Sequence, residues 1–298
     1  MVEEIRTETA VAGGPGRLAP MLPLVLIVWG FVSVYLLQLS IDSTSKAEMR
    51  EKVVQDLVYF PSGDFLREAT IEYQNVASDA VWLRAIQYYG HHLMTDRKYE
   101  WLGHVFEILT TLDPQFIGAY HFGAITLAWD AAKPREATRL LVEGMKANPM
   151  DWQLPFDAGF INYMLLADYE AAAAFFEVTA KLPGAWLVAS RWAAVARAKA
   201  GDFVTARDMW LEIYHGTENQ QLRKLVVRQL RLLILEEGLG RLQEGVDRFR
   251  EDRGFLPGSI PELIRAGYID RMPEEPYGGR FYLDNGRVRS TTPPNQRG

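Results

Sequence analysis

The chain has 298 residues, of which 48% are hydrophobic and 23% are charged, a composition that excludes a disordered chain and predicts an ample core. The net charge of −6 comes without a basic patch, so nucleic acid is not an expected partner. The absence of cysteine excludes disulfides, a thiolate nucleophile and cysteine-ligated zinc.

The N-terminal stretch predicts a membrane anchor. Residues 1–17 are mostly polar, as in a disordered tail. Residues 18–41 carry no charge, and about 20 apolar residues are enough for a helix to span a bilayer. A cleaved signal peptide would have a shorter apolar run followed by a small-x-small cleavage site, which is missing here. We therefore expect a transmembrane helix over residues 18–41, with the lipid bilayer as its partner.

The charges beside this span give its expected orientation. Arg6 and Arg17 precede it, and three cations follow it, balanced by nearby acids. A short N-terminal tail with Arg17 at the membrane edge favours the cytoplasmic side for the N-terminus. We expect a single-pass protein of the bacterial inner membrane with a periplasmic body.

Residues 42–77 predict a linker with helices that precede a repeat region. A break at Tyr59–Gly63 contains proline and glycine. Ser78 and Asp79 then predict the N-cap of the first repeat helix, because short polar side chains accept hydrogen bonds from free N–H groups there.

Residues 78–216 show an internal repeat. Pro114, Pro149 and Pro183 are 35 and 34 residues apart, a period typical of helix-turn-helix solenoids. One spacing, the 36 residues from Gly123 to Gly159, is longer. Small residues recur at a similar period: Gly90, Gly123, Gly159 and Ala193 in one series, and Ala137, Ala171 and Ala206 in another.

This pattern resembles the tetratricopeptide repeat, whose unit has a small residue in each helix and a closing proline. The resemblance covers three good copies and one partial copy, which lacks the closing proline. It implies an all-α fold, a right-handed helix-turn-helix solenoid in which each repeat buries its apolar face against its neighbours.

The C-terminal part predicts two further segments. Residues 217–252 read as capping helices, interrupted at Gly238 and Gly240, that close the end of the solenoid. Residues 253–298 read as a small tail rich in proline and glycine, in which Asn285-Gly286 between alternating residues predicts a β-hairpin.

This tail resembles the C-terminal region of type II secretion major pseudopilins over about 40 residues. The shared order is a Gly-x-x-Pro at Gly254–Pro257, then Gly267-Tyr268, then a Pro-x-Asp-Pro-Trp-Gly motif before a small hairpin. Here Glu275 and Tyr277 replace the Asp and Trp of that motif. The resemblance implies a link to a pilus or a secretion system, and it does not carry over the family's calcium loop.

No catalytic motif is present, so we expect no enzyme, no catalytic residues and no cofactor. A phosphate-binding glycine loop, Gly-x-Ser-x-Gly and His-Glu-x-x-His are all missing. Four of five histidines lie in the first two repeats, but no carboxylate pair at helical spacing completes a metal shell. We therefore predict no metal site.

The expected functional surface is a groove lined by the first helices of the repeats, as the resemblance implies. Its apolar and aromatic character, with few charges, suits a segment of a protein partner. The alternative is that part of this chain already fills it. The predicted groove residues are Arg84, Gln87, His91, Tyr120, Gln153, Phe156, Phe160, Tyr163 and Arg197.

These observations predict a membrane-anchored scaffold that holds protein partners at the bacterial cell envelope, as an assembly factor for a pilus or secretion system. Two alternatives stay open. One is a structural subunit of a larger membrane complex, whose groove would already be filled. The other is a periplasmic protein that binds metal through histidines such as His91 and His121.

Overall fold

The computed structural model describes residues 28–39 and 61–296. The chain divides into two compact units, residues 1–60 and residues 61–298. Within the described residues the protein is mostly helical, with one two-stranded antiparallel sheet near the C-terminus. This confirms the predicted helical class and the predicted hairpin.

Residues 28–39 of the first unit form a helix, α1, with exposed apolar side chains such as Trp29, Phe31 and Tyr35. They belong to the predicted anchor, whose remaining residues 18–27 and 40–41 lie outside the described residues, as does the predicted tail 1–17. Among the helices that the structure describes, none is both long enough and apolar enough to cross a membrane.

The second unit opens with α2 (Gly63–Thr70), a 3₁₀ turn (Ile71–Tyr73) and α3 (Gln74–Met94). The prediction that Ser78 caps the first repeat helix is wrong. Ser78 is buried inside α3, one turn after its start, because the helix already begins at Gln74. The observed N-cap is Ser62, whose Oγ accepts a hydrogen bond from the backbone N–H of Phe65 at the start of α2.

The helices after α3 form successive antiparallel pairs, in which each helix packs mainly on its neighbours in chain order. We call α3, α5, α7 and α9 the first helices of the pairs and α4, α6, α8 and α10 the second helices. Both α5 and α7 end in a π-helical turn, over Thr126–Asp130 and Asn162–Leu166. The bounds are α4 (Leu102–Leu112), α5 (Ile117–Ile125), α6 (Pro134–Ala147), α7 (Gln153–Ile161), α8 (Tyr169–Ala180), α9 (Trp186–Lys199) and α10 (Phe203–Gly216).

Two of the predicted small residues lie where helices approach most closely. A Cβ added to Gly123 would lie 2.8 Å from Cγ of Phe106, and one added to Gly159 would lie 2.8 Å from Cε1 of Phe176. Gly90 differs, because a Cβ there would meet nothing within 4 Å. The fully buried small residue of α3 is Ala85.

The second pair of helices, α5 and α6, differs in length from the third pair, α7 and α8. Helix α6 has 14 residues where α8 has 12. The loop before α6 spans residues 131–133, whereas the loop before α8 spans only 167–168. The second pair is therefore longer on the side of its second helix, whereas α5 and α7 have nine residues each.

The predicted break at Gly238 and Gly240 is wrong. One continuous helix, α11 (Gln220–Arg253), runs through both residues and ends at Gly254, which has a left-handed backbone conformation. The buried glycines of α11 serve close packing. A Cβ on Gly238 would lie 3.0 Å from Cζ of Phe281, and one on Gly245 would lie 2.7 Å from Cδ1 of Ile269.

The C-terminal segment packs on the second half of α11 instead of trailing from it. It contains α12 (Ile260–Arg265), β1 (Phe281–Asp284) and β2 (Arg287–Ser290), with Asn285 and Gly286 in a turn with positive φ. Its core contains four residues of α11 and four of the C-terminal segment: Leu235, Leu242, Val246 and Phe249, and Ile260, Leu263, Ile269 and Phe281. The side-chain amide of Gln243 on α11 also donates to the carbonyl of Gly286 and accepts from the N–H of Val288.

Glu275, in the motif that resembles pseudopilins, organises the turn before the hairpin. Its carboxylate accepts hydrogen bonds from the N–H groups of Tyr277 and Gly279 and from the hydroxyls of Ser290 and Thr292. Burial alone would raise the pKa of Glu275, but these hydrogen bonds lower it below its ordinary value. The carboxylate therefore ties the Pro-Tyr-Gly-Gly turn to the end of β2.

We predict opposite outcomes for one substitution at two glycines. Gly159→Val forces a branched side chain into the ring of Phe176 and should lower the free energy of unfolding by about 1–3 kcal/mol. Gly90→Val, in open space, should change it by less than about 0.5 kcal/mol. Urea denaturation of both variants measures the difference, and equal losses at the two positions would contradict the packing described here.

Candidate protein-binding surface

Exposed apolar side chains recur at equivalent positions near the C-terminal ends of three first helices. Met94 ends α3, and Trp129 and Met164 lie in the π-helical turns after α5 and α7, each 35 residues from the last. They are 85%, 44% and 55% exposed. One helical turn earlier, Ile125 is 51% exposed. We call Met94, Ile125, Trp129, Phe160 and Met164 the first-helix face.

Aromatic rings link this face across neighbouring pairs. The ring of Trp129 stacks on that of Phe160, with centroids 6.4 Å apart and planes 29° apart. Phe160 in turn meets the ring of Trp192 on α9 edge to face at 5.5 Å. Stacked and edge-to-face rings are favoured arrangements, so these ring contacts hold the partly exposed rings in place.

The groove register expected from Gly123 and Gly159 is offset by one residue. The buried residues of α5 are 119, 120, 123 and 124, and those of α7 include 154, 155, 158 and 159. These two sets are 35 residues apart, whereas Gly123 and Gly159 are 36 residues apart. One residue rotates a side chain by about 100° around a helix. Tyr120 is therefore only 2% exposed and lies against Gly144 of α6, and His121 takes the outward position corresponding to that of Phe156.

The other predicted groove residues divide by environment. Four lie in exposed or half-buried positions on first helices: Arg84, Gln87, His91 and Gln153. Arg197 is directed to the second helix α8, where its Nε lies 2.6 Å from Oε1 of Glu177. That hydrogen bond raises the pKa of Arg197 above its ordinary value. Its guanidinium is therefore engaged within its own repeat region.

Phe156 and Tyr163 are half-buried and contribute to packing. The ring of Phe156 lies 5.4 Å from that of Phe176 on α8, and the ring of Tyr163 lies 5.5 Å from that of Trp192. Burial raises the pKa of Tyr163. Both rings join the cluster beneath Phe160, so they support the first-helix face more than they extend it.

His121 connects two neighbouring first helices. Its Nδ1 lies 2.7 Å from Oδ2 of Asp157 on α7, and its Nε2 lies 3.9 Å from Oδ1 of Asp151 in the preceding loop. The hydrogen bond to Asp157 raises the pKa of His121 above its ordinary value, although burial opposes the shift. Protonated His121 therefore forms an ion pair between α5 and α7.

The remaining histidines do not assemble around a common point. His92 is buried and hydrogen-bonded to Asp96 at the end of α3, with its ring beside that of Tyr88. His91, its neighbour, is half-buried on another side of the helix. Among the residues that the structure describes, no group of three His, Asp or Glu side chains is close enough to hold a metal ion.

One cavity near these helices lies on the side of the second helices. It has a volume of about 850 Å³ between α4 and α6. Glu107 and Thr110 line it from α4, Arg139 and Glu143 from α6, and Tyr120 forms part of its floor. Since its walls carry charges of both signs, they favour no particular class of ligand.

The sequence prediction included Phe160 of the first-helix face and did not include Met94, Ile125, Trp129 or Met164. The register was taken from glycines, which mark where helices meet and carry no information on what faces outward. The signal that could have found the exposed residues is the 35-residue recurrence of Met94, Trp129 and Met164.

No family model, no curated protein and no solved structure matches this chain.

We predict that the contact between His121 and Asp157 stabilises the fold more at low pH than at high pH. The folded-state pKa of His121 is raised, so the contribution is fully present below about pH 6.5 and is lost as the pH rises through the folded-state pKa. The deficit of Asp157→Asn relative to the parent chain should therefore shrink by about 1 kcal/mol between pH 5.5 and pH 8.5. Urea denaturation measures it at both values.

His121→Gln provides the control, because the Asp157→Asn deficit should no longer depend on pH in its background. A deficit that stays constant across this range in the parent chain would contradict the ion pair.

Proposed function

We propose that this protein is a membrane-tethered scaffold of tetratricopeptide type that binds a protein partner through the first-helix face. The repeats are supported by the paired helices, the close approaches at Gly123 and Gly159, and the prolines that follow α4, α6 and α8. The observation that carries the binding function is the row of exposed apolar side chains at a 35-residue period.

The chemistry of this face indicates the kind of segment that binds. Methionine is flexible and polarisable and adapts to irregular apolar surfaces, and tryptophan provides a large rigid contact. A row of such side chains along parallel helices suits the apolar stripe of an amphipathic helix. Exposing a row of this kind is costly in an isolated protein unless it is used.

The setting is the bacterial cell envelope, with residues 18–41 as the inner-membrane anchor and the repeats in the periplasm. The uncharged stretch 18–41 and the outward apolar side chains of residues 28–39 support the anchor. The resemblance of residues 254–286 to the end of pseudopilins favours a role as an assembly factor for a pilus or a secretion system.

Removing the exposed apolar side chains should abolish partner binding without unfolding the protein. We expect the tagged full chain, purified from its native membranes, to bring down a defined partner. The variant Met94→Ser, Trp129→Ala, Met164→Ser should lose that partner, because the contact area disappears. Mass spectrometry of the eluates measures the loss.

The matched control changes apolar side chains of similar exposure away from this face: Met150→Ser, Val178→Ser and Val204→Ser. This variant should keep the partner, and all three chains should melt alike. Retention of the same partner by the first variant would remove the first-helix face as the binding site.

A further inference from the structure

Helix α11 has one face packed on the repeats. Its opposite face is covered in the second half of the helix and uncovered in the first half. Val226 is buried in a cluster with residues of α10, and Leu233 is also buried. On the opposite face of the second half, Gly238 and Gly245 are covered by the C-terminal segment. The same face of the first half is uncovered and presents Gln221, Lys224, Val227, Arg228, Arg231 and Ile234. We call these six residues the outer face of α11.

The outer face of α11 is basic in a chain that is acidic overall. Residues 220–235 contain four cations and no Asp or Glu, against a net charge of −6 for the whole chain. Lys224, Arg228 and Arg231 form no ion pair with any residue that the structure describes, whereas the cations nearby, such as Arg207, do. Val227 and Ile234 between them are each 39% exposed. This face therefore offers three unpaired cations and two apolar side chains for contact with an acidic, partly apolar surface.

The opposite end of the repeat region has the complementary character. Helix α2 and the turn after it expose Phe65, Glu68, Ile71 and Glu72, which we call the acidic face. Phe65 and Ile71 are 60% and 72% exposed. Glu68 and Glu72 have no ion-pair partner among the described residues, unlike Asp64, which pairs with Arg67.

The order of the helices indicates how the two faces meet. First and second helices alternate along the chain, and the first half of α11 occupies the place of a first helix without a second helix after it. Helix α2 precedes the first helix α3 and packs on the second helix α4, with Gly63 against Thr111. It therefore takes the place of a second helix, which is the element that α11 lacks.

We propose that copies of this chain associate head to tail, with the acidic face of one copy docked on the outer face of α11 of the next. Glu68 and Glu72 then meet Lys224, Arg228 and Arg231, and Phe65 and Ile71 meet Val227 and Ile234. Such a contact joins two different surfaces, so it gives open chains or closed rings rather than a two-fold symmetric dimer. A contact through so few side chains is weak, so the association should depend on concentration.

Sedimentation velocity of the full chain in a mild non-ionic detergent tests the proposal. The protein should associate as its concentration rises, and the association should weaken as salt screens the charges. The variant Lys224→Glu, Arg228→Glu, Arg231→Glu should associate about tenfold more weakly or less, because it places like charges opposite each other. Glu68→Lys, Glu72→Lys should do the same from the other side.

Mixing the two charge-reversed variants provides the decisive comparison. Each is repelled by itself, but the reversed face of one is complementary to the reversed face of the other, so the mixture should regain association. All the altered side chains are exposed, and matching thermal melts confirm that folding is unchanged. A parent chain that stays monomeric at every concentration and at low salt would overturn the proposal, as would a mixture that fails to associate. The first result would leave the outer face of α11 to a different, acidic partner.

Discussion

The architecture depends on aromatic rings that rest directly on glycines where helices cross. At Gly123 and Gly159 the ring of a phenylalanine from a second helix occupies the space where a Cβ would be. This contact sets the distance between the helices, since a larger residue would force the ring away. The aromatic side chains of the neighbouring pair then fill the gap, so Phe176, Trp192 and Phe160 form one contiguous cluster. Trp129 of the first-helix face stacks on Phe160 and so rests on this cluster.

Glycines that allow a close approach also attach the C-terminal segment to α11. Gly238 and Gly245 allow Phe281 and Ile269 to approach the backbone of α11 closely. A helix that is one long rod thus belongs to two cores, one shared with α10 and one shared with the hairpin. Glu275 and Gln243 complete the attachment with hydrogen bonds to turns and strands that would otherwise be short and isolated.

The sequence predicted the features that one or two neighbouring residues determine locally. Prolines after helices, the glycines at 123 and 159 and Asn-Gly at a hairpin each have a direct steric cause, and these were placed correctly, whereas Gly90 lies at no close contact. Gly238 and Gly240 were misread because a glycine that breaks a helix and a glycine that admits a neighbouring ring look identical in one dimension. Only the fold shows that Phe281, 43 residues further on, requires Gly238.

The candidate site was harder to predict than the fold, because outward positions are constrained only by what the protein binds. A one-residue offset was enough to exchange Tyr120 for His121 at the surface. Burial in α5 and α7 resolves this offset, since two adjacent residues are buried in each turn. Residues such as Met94 and Trp129 look like core residues in the sequence, and only their exposure in the fold identifies them as a surface.

The most direct test of the binding role places a photo-crosslinking amino acid at position 129 of the full chain in living cells. A matched strain carries it at position 178, which is similarly exposed on a second helix. Irradiation should give one discrete adduct of higher mass at position 129 and none at position 178. No adduct at position 129, or the same adduct at both positions, would contradict a protein-binding role for the first-helix face.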